Sequence, residues 1–283
     1  MIAMIAPYRR AAAIFLRVFG CLMLTAAAHS AQAQTRLKAH FTISMTGVSI
    51  GQIAWLVAIG DQRYTTSANG KASGVLSVLV NGEGSVDARG IIVDGRPAPK
   101  NFTSKITDDE GDSELRMTFD DGAVKELIAK APPPTRDRIP VTDADRRGVA
   151  DPLSAMLIPA GDDALAPANC NRVLPIFDGR RRYDLALSFK RIDKVAIERS
   201  YSGFVLVCGV VLQPIAGYRA DSMLVKYVGG RRDMELWFAP VAGTSIIAPI
   251  RVLMPTLIGT LEIQADQFDA GPLPPVPPGV APR

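Results

Sequence analysis

The sequence predicts an all-β chain, mainly antiparallel, folded as a large barrel, half-barrel or β-spiral of about fourteen strands with one short helix. Three observations predict it. Apolar and polar residues alternate with period two through most of the chain from residue 37 to residue 268, and turn-forming Gly, Asp and Asn fall between the runs at short intervals. A single segment, near Asp151, carries the signals of a helix.

The first strand is read from Leu37, Ala39, Phe41, Ile43 and Met45, which alternate with Lys38, His40, Thr42 and Ser44. Gly47 turns the chain into Val48–Ile59, where Ile53, Trp55, Val57 and Ile59 share a face, and Tyr64–Ser73 supplies a third strand. Val75–Val86 is interrupted by Asn81, Gly82 and Gly84, the mark of a bend or bulge. Asp94-Gly95 and Asp120-Asp121-Gly122 are turns, the second joining Glu114–Phe119 to Ala123–Ala129 as a hairpin.

The rhythm breaks at Pro132, Pro133 and Pro134, which lack backbone donors and hold an extended path that no sheet ladder crosses. Asp151 then offers a carboxylate cap, Pro152 suits the first helical position, and Leu153, Met156 and Leu157 fall on one face. Pro159 ends this helix early, so it reads as a plug packed on the sheet. Strands resume at Val173. Asp178-Gly179 turns into Tyr183–Phe189, and Gly203–Leu212 is a nearly unbroken apolar run suited to burial on both faces. Ser222–Val228 and Asp233–Phe238 flank Gly229-Gly230 as a hairpin, and Ile246–Met254 and Leu257–Phe268 close the fold. Residues 34–270 thus form one β domain of two strand-rich halves joined at 131–160, followed by a proline-rich, disordered tail over 271–283.

Residues 1–33 read as a cleavable signal peptide. Arg9, Arg10 and Arg17 supply the positive end, Val18–Ala28 an apolar stretch too short to span a bilayer, and Ala31-Gln32-Ala33 a small-x-small cleavage pattern. Cleavage there gives a periplasmic protein beginning at Gln34; lipidation at Cys21 and a twin-arginine route through Arg9-Arg10 are the weaker readings of the same segment. Of 32 basic residues three leave with the signal, so 29 face 28 acidic ones and no global footprint for nucleic acid remains. An outer-membrane barrel is disfavoured by short runs, sparse aromatics and the proline-rich middle and tail.

The signal also removes Cys21 and His29. Cys170 and Cys208, an even pair in an oxidising compartment, are most simply a disulfide, the alternative being a redox pair, which more often shows C-x-x-C spacing. His40, the one histidine left, sits in strand alternation and reads as solvent-facing, and no metal-ligand set or cofactor motif is present. The densest charged cluster is Phe177-Asp178-Gly179-Arg180-Arg181-Arg182-Tyr183-Asp184. On a strand Arg180 and Arg182 project to one face and Arg181 and Tyr183 to the other; Arg180, Arg182 and Tyr183 are the candidate anion or partner site, since guanidinium forks bind carboxylate or phosphate, and the alternative pairs the arginines with Asp178 and Asp184 inside a hairpin. The acidic runs Asp108-Asp109-Glu110 and Asp162-Asp163 lie in polar loops and identify no catalytic carboxyl pair.

Three stretches carry a resemblance: Gly148-Val149-Ala150-Asp151-Pro152-Leu153-Ser154-Ala155, then Phe177-Asp178-Gly179-Arg180-Arg181-Arg182-Tyr183-Asp184-Leu185, then Pro214-Ile215-Ala216-Gly217-Tyr218, with Cys170 and Cys208 among them. In these the chain resembles domain-of-unknown-function family 3108, bacterial exported proteins, over most of its mature length. In plan it is also similar to exported alphaproteobacterial envelope-integrity proteins that wind many strands into a spiral with a disulfide. The resemblance implies no catalytic residues. The expectation is a non-enzymatic periplasmic protein that supports the envelope by binding a protein partner or a lipid-like amphiphile in a curved sheet. The rival is a hydrolase of envelope glycans or lipids with unidentified carboxylates.

Overall fold

Alternation dictates the elements. In a computed structural model, which describes residues 35–73, 82–108, 111–130, 137–198 and 200–272, the first strand β1 (Thr35–Met45) buries Leu37, Ala39 and Phe41 and turns Lys38 and His40 away. The meander continues through β2 (Val48–Ile59), β3 (Arg63–Ala72), β4 (Gly82–Val93), β5 (Arg96–Asp108), β6 (Gly111–Asp120) and β7 (Ala123–Lys130). After a connection holding α1 (Pro152–Ala155) come β8 (Ile158–Pro159), β9 (Arg172–Phe177), β10 (Arg182–Ala196) and β11 (Ser202–Ala216). A second helix, α2 (Met223–Gly229), precedes β12 (Met234–Pro240), β13 (Ile246–Thr256) and β14 (Gly259–Pro272).

The fold is all-β: fourteen strands form one open antiparallel sheet in the order β7-β6-β5-β4-β3-β2-β1-β14-β13-β12-β11-β10-β9, with β8 added beside β13. Each half is a meander, and the two halves are joined by β1 lying against β14, Leu37 opposite Ala270. The sheet curls over itself, so Leu37, Trp55, Val57 and Tyr64 of the first half share a core with Val205, Val207, Trp237 and Ala239 of the second. A separate cluster joins Phe102, Leu115, Met117 and Phe119 to Val149 and Phe177. The segment 147–150 links the two outer strands: Val149 N–H donates to Gly122 O (3.1 Å), Ala150 N–H to Pro175 O (2.9 Å), and Phe177 N–H to Ala150 O (3.0 Å).

β11 is buried on both faces from Val205 to Val210. Its second face, carrying Leu206, Cys208 and Val210, is covered by the chain around residues 158–170 and by α2. Cys170 and Cys208 are joined by a disulfide, Cα to Cα 5.4 Å, which pins that covering segment to β11.

Several expectations are corrected. Among the described residues there are two short α-helices, because Met223–Gly229, within a segment expected to be a strand, is helical. Its apolar run fits both periods, and the Ser222 hydroxyl decides the matter by accepting the Val225 N–H (3.3 Å) as a cap. Gly229 and Gly230 therefore end a helix, and Gly229 packs on the Pro214 ring. Leu257 lies in the β13–β14 turn, 54% exposed, and β14 runs on to Pro272, into the stretch expected to be tail. The strand expected to end at Phe189 continues to Ala196. The expected signal peptide, Asn81 of the expected bend, the triple proline and the tail beyond 272 lie outside the described residues, whereas Gly82 and Gly84 of that bend lie in the unbroken ladder of β4, whose register shifts at Arg89/Gly90 instead. Among the described residues no helix is long and apolar enough to cross a membrane.

Candidate functional site

The three stretches that carry the resemblance meet in space. Ala150 bridges to Ile176, and Asp151 caps α1 just beyond. Asp178 closes the β9–β10 turn by accepting the N–H groups of Arg180 (2.8 Å) and Arg181 (2.6 Å) on Oδ1. Gly217 lies against this turn so closely that a Cβ would sit 2.0 Å from Arg180 O, and its φ of +81° is in the left-handed region, so glycine is required there twice over.

The predicted site residues are separated by this geometry. Arg182 is spent on Asp184 (2.5 Å) and on Tyr183 O (2.7 Å), with only 11% of its side chain exposed. Tyr183 is largely buried, which pushes its hydroxyl well above the usual range, with Asp178 adding to the shift. Arg180 stays exposed in the turn, and Arg181 lies over the Tyr218 ring at 5.8 Å. Burial, with the Asp178 charge, pushes the Tyr218 hydroxyl up to about 12. Asp178 therefore holds backbone, where a guanidinium partner was expected, and Arg180 and Arg182 form no common anion clamp.

Around α1 the chain builds a buried polar chain of contacts. Asp151 is fully buried and accepts from Leu153 N–H (3.0 Å), Ser154 N–H (2.9 Å) and the Ser154 hydroxyl (2.5 Å). The Tyr64 hydroxyl donates to Ser154 Oγ (2.6 Å), tying β3 to the plug. Burial raises the Asp151 carboxyl to about 6 against those hydrogen bonds, and burial pushes Tyr64 up as well. These groups are sealed in the interior, so their arrangement fixes the plug. His40 is half-exposed, with Nδ1 at 2.7 Å from Asp266. Asp163 caps the Leu165 N–H (3.0 Å) in its loop.

A groove of about 830 Å³ lies on the other, polar face of the first half-sheet, crossing β1 to β7. Register builds its two walls. One row runs Arg36, Ala58, Thr65, Arg89, Asn101, Thr118, Glu126, each opposite the next across the strands. The second runs Leu56, Ser67, Asp87, Thr103, Arg116, Ile128. Arg116 is held by Glu114 (2.7 Å), whereas Arg36 and Arg89 have no carboxylate partner among the described residues. Sequence reading missed this groove. Its local signal is the polar half of each alternation; what assembles it is register.

A chain of this plan, one antiparallel sheet curled over its own plug with a polar groove outside, defines an all-β protein class. The sequence model of the family described as protein of unknown function (DUF3108) matches residues 40–266, and the chain belongs to that family. No curated protein matches the chain. Among solved structures it is similar to a crystal structure of a beta-barrel-like protein of the domain-of-unknown-function family DUF1849 from Brucella abortus. The identity is 10%, the TM-score 0.47, and the match covers 85% of this chain and 98% of that one.

Proposed function

We propose that the protein is exported to the periplasm by residues 1–33 and supports the cell envelope, without catalysis, by holding an extended polypeptide in the groove across β1–β7. One observation carries this reading. The space between the sheet halves is filled by Trp55, Tyr64, Trp237 and Phe268, with Leu153 of α1 packed on them, while the groove of about 830 Å³ outside presents Arg36, Thr65, Arg89 and Glu126 to solvent. A lipid-like ligand needs an apolar enclosure, and the interior is already packed with the protein's own side chains. The groove instead offers hydroxyl and amide groups from Thr65, Ser67, Asn101, Thr103 and Thr118, which suit a peptide backbone. Arg36 and Arg89 favour acidic side chains on that partner. Six interstrand steps make the groove about 29 Å long, enough for roughly eight extended residues.

The test is complementation joined to cross-linking. A deletion strain sensitised to detergent is rescued by the native chain, and a photoreactive residue at Thr103 gives a protein adduct in cells. Arg36→Glu with Arg89→Glu abolishes both while leaving the melting temperature unchanged. Full rescue by that double variant, or an adduct that survives it, sinks the reading.

A further inference from the structure

The chain leaves the sheet at the mouth of the groove. Gly271 of β14 lies opposite Arg36 of β1, the first residue of the row that crosses the groove, and Pro272 ends β14 opposite Thr35. From Gly271 that row continues without a break through Arg36, Thr65 and Arg89 to Glu126 of β7. Seven interstrand steps make it about 34 Å long at the usual spacing.

Residues 273–283 lie outside the described residues, and their sequence is Leu-Pro-Pro-Val-Pro-Pro-Gly-Val-Ala-Pro-Arg. Three properties of that sequence match the groove. The first is reach. Proline favours an extended path of about 3.1 Å per residue, so eleven residues from Leu273 to Arg283 span about 34 Å. The second is hydrogen bonding. Five prolines bring carbonyls without N–H groups, so the segment is rich in acceptors and poor in donors. The groove supplies donors: the Asn101 amide and the hydroxyls of Thr65, Ser67, Thr103 and Thr118, whose side chains have no hydrogen-bond partner among the described residues. The third is charge. The first charged residue after Asp269 is Arg283, which at full reach stands level with Glu126. Glu126 is exposed and has no cation partner among the described residues.

We infer that the groove has an occupant within its own chain: residues 273–283 lie along it from Arg36 to Glu126 and are displaced when an acidic extended segment binds. Occupancy by the tail follows from register, reach and charge; displacement rests on the reading of the groove as a polypeptide cradle. The tail carries no acid, so it leaves Arg36 and Arg89 without a counter-charge. An acidic segment satisfies both arginines and gains what the tail cannot. Tethered at Pro272, the tail competes at an effective concentration in the millimolar range, which excludes loosely bound sequences that lack acids. The tail thus makes the groove selective.

Zero-length cross-linking reads where the tail lies. In purified Arg283→Lys, carbodiimide is expected to join the introduced amine to Glu126 within one molecule, at a yield independent of protein concentration. Glu126→Gln should abolish that link, and both altered positions are outside the packed core. No link to Glu126, or links spread evenly over Asp61, Asp94 and Asp121 in the turns at this end of the sheet, overturns the inference. Displacement is read with a fluorescent peptide of about eight residues in which Glu and Val alternate. Ending the chain at Pro272, which keeps all of β14, should tighten its binding about tenfold, and Arg283→Glu should tighten it a few-fold. The sign is diagnostic, because losing a cation that did not hold the tail in place would weaken an acidic probe or leave it unchanged. Unchanged or weaker binding after both alterations therefore overturns the displacement. A link to Glu126 with no probe bound by either chain keeps the tail in its seat and sinks the polypeptide reading. Equal probe binding with no link leaves that reading standing and sinks this one.

Discussion

Two buried or half-buried carboxylates give the protein opposite responses to acid. Asp151 has a folded pKa of about 6 against an ordinary 3.8, because burial outweighs its three hydrogen bonds. Between those values the folded state binds the extra proton, so this group's contribution is fully present below 3.8 and is lost as pH rises through about 6. Glu235 behaves the other way. Arg191 (2.9 Å), Lys190 (2.8 Å) and the Trp237 indole N–H (2.8 Å) hold it down to about 2 against an ordinary 4.5. Its contribution is present above 4.5 and is lost as pH falls through about 2. Asp151→Asn is therefore expected to remove a fall in melting temperature of roughly 5 to 10 °C between pH 4 and pH 7. Melting curves across that range check it, and a native curve with no such fall would refute the assignment. Glu235→Gln should instead cost about 1–3 kcal/mol at neutral pH and flatten the acid limb below pH 4. The Asp151 cap was legible in the sequence from Asp-Pro before an apolar helix face. Its link to Tyr64, through Ser154 and 90 residues away, was not, since no local pattern encodes a contact of that range.

At the scale of elements, legibility followed burial. β1 and β2 read cleanly because one face is dry and the other wet, so period two is written into the chain. β11 read as doubly buried because both faces demand apolar residues. Met223–Gly229 failed for a related reason: an apolar run covering β11 is compatible with strand and helix alike, and a single capping hydroxyl settled it. The disulfide acts on this same layer. It ties the chain at Cys170 across the second face of β11, so Cys170→Ser removes a cross-link closing a loop of 38 residues. The expected cost is about 3 to 4 kcal/mol in the chain-entropy view. Hydrogen exchange should show the loss first around residues 160–170, with β1 to β5 protected as before. Uniform loss of protection throughout the sheet would show instead that the bridge supports the whole fold.

For the whole molecule, the open sheet leaves β7 and β9 as outer strands, and the connection between the two halves is what relates them. Val149 and Ala150 donate to Gly122 O and Pro175 O, one bond toward each outer strand, and Val149 is itself buried beside Phe119 and Phe177. Sequence alone placed this connection between two strand-rich halves, but it could not show that the linker rejoins the edges it separates, because that depends on the curl of the sheet. A proline at Ala150 removes the N–H that meets Pro175, costing about 1–3 kcal/mol if Pro175 O is left without a partner. Its effect should be spread by position in the sheet and not by position in the chain. Amide exchange should rise in β9 and at the β6–β7 end, which are far apart in sequence, while β1 and β14 at the centre of the sheet stay protected. A rise confined to residues near 150 would mean that the connection only follows the sheet. A coordinated rise at both outer strands would mean that it holds the curl, and with it the register that builds the groove on the opposite face.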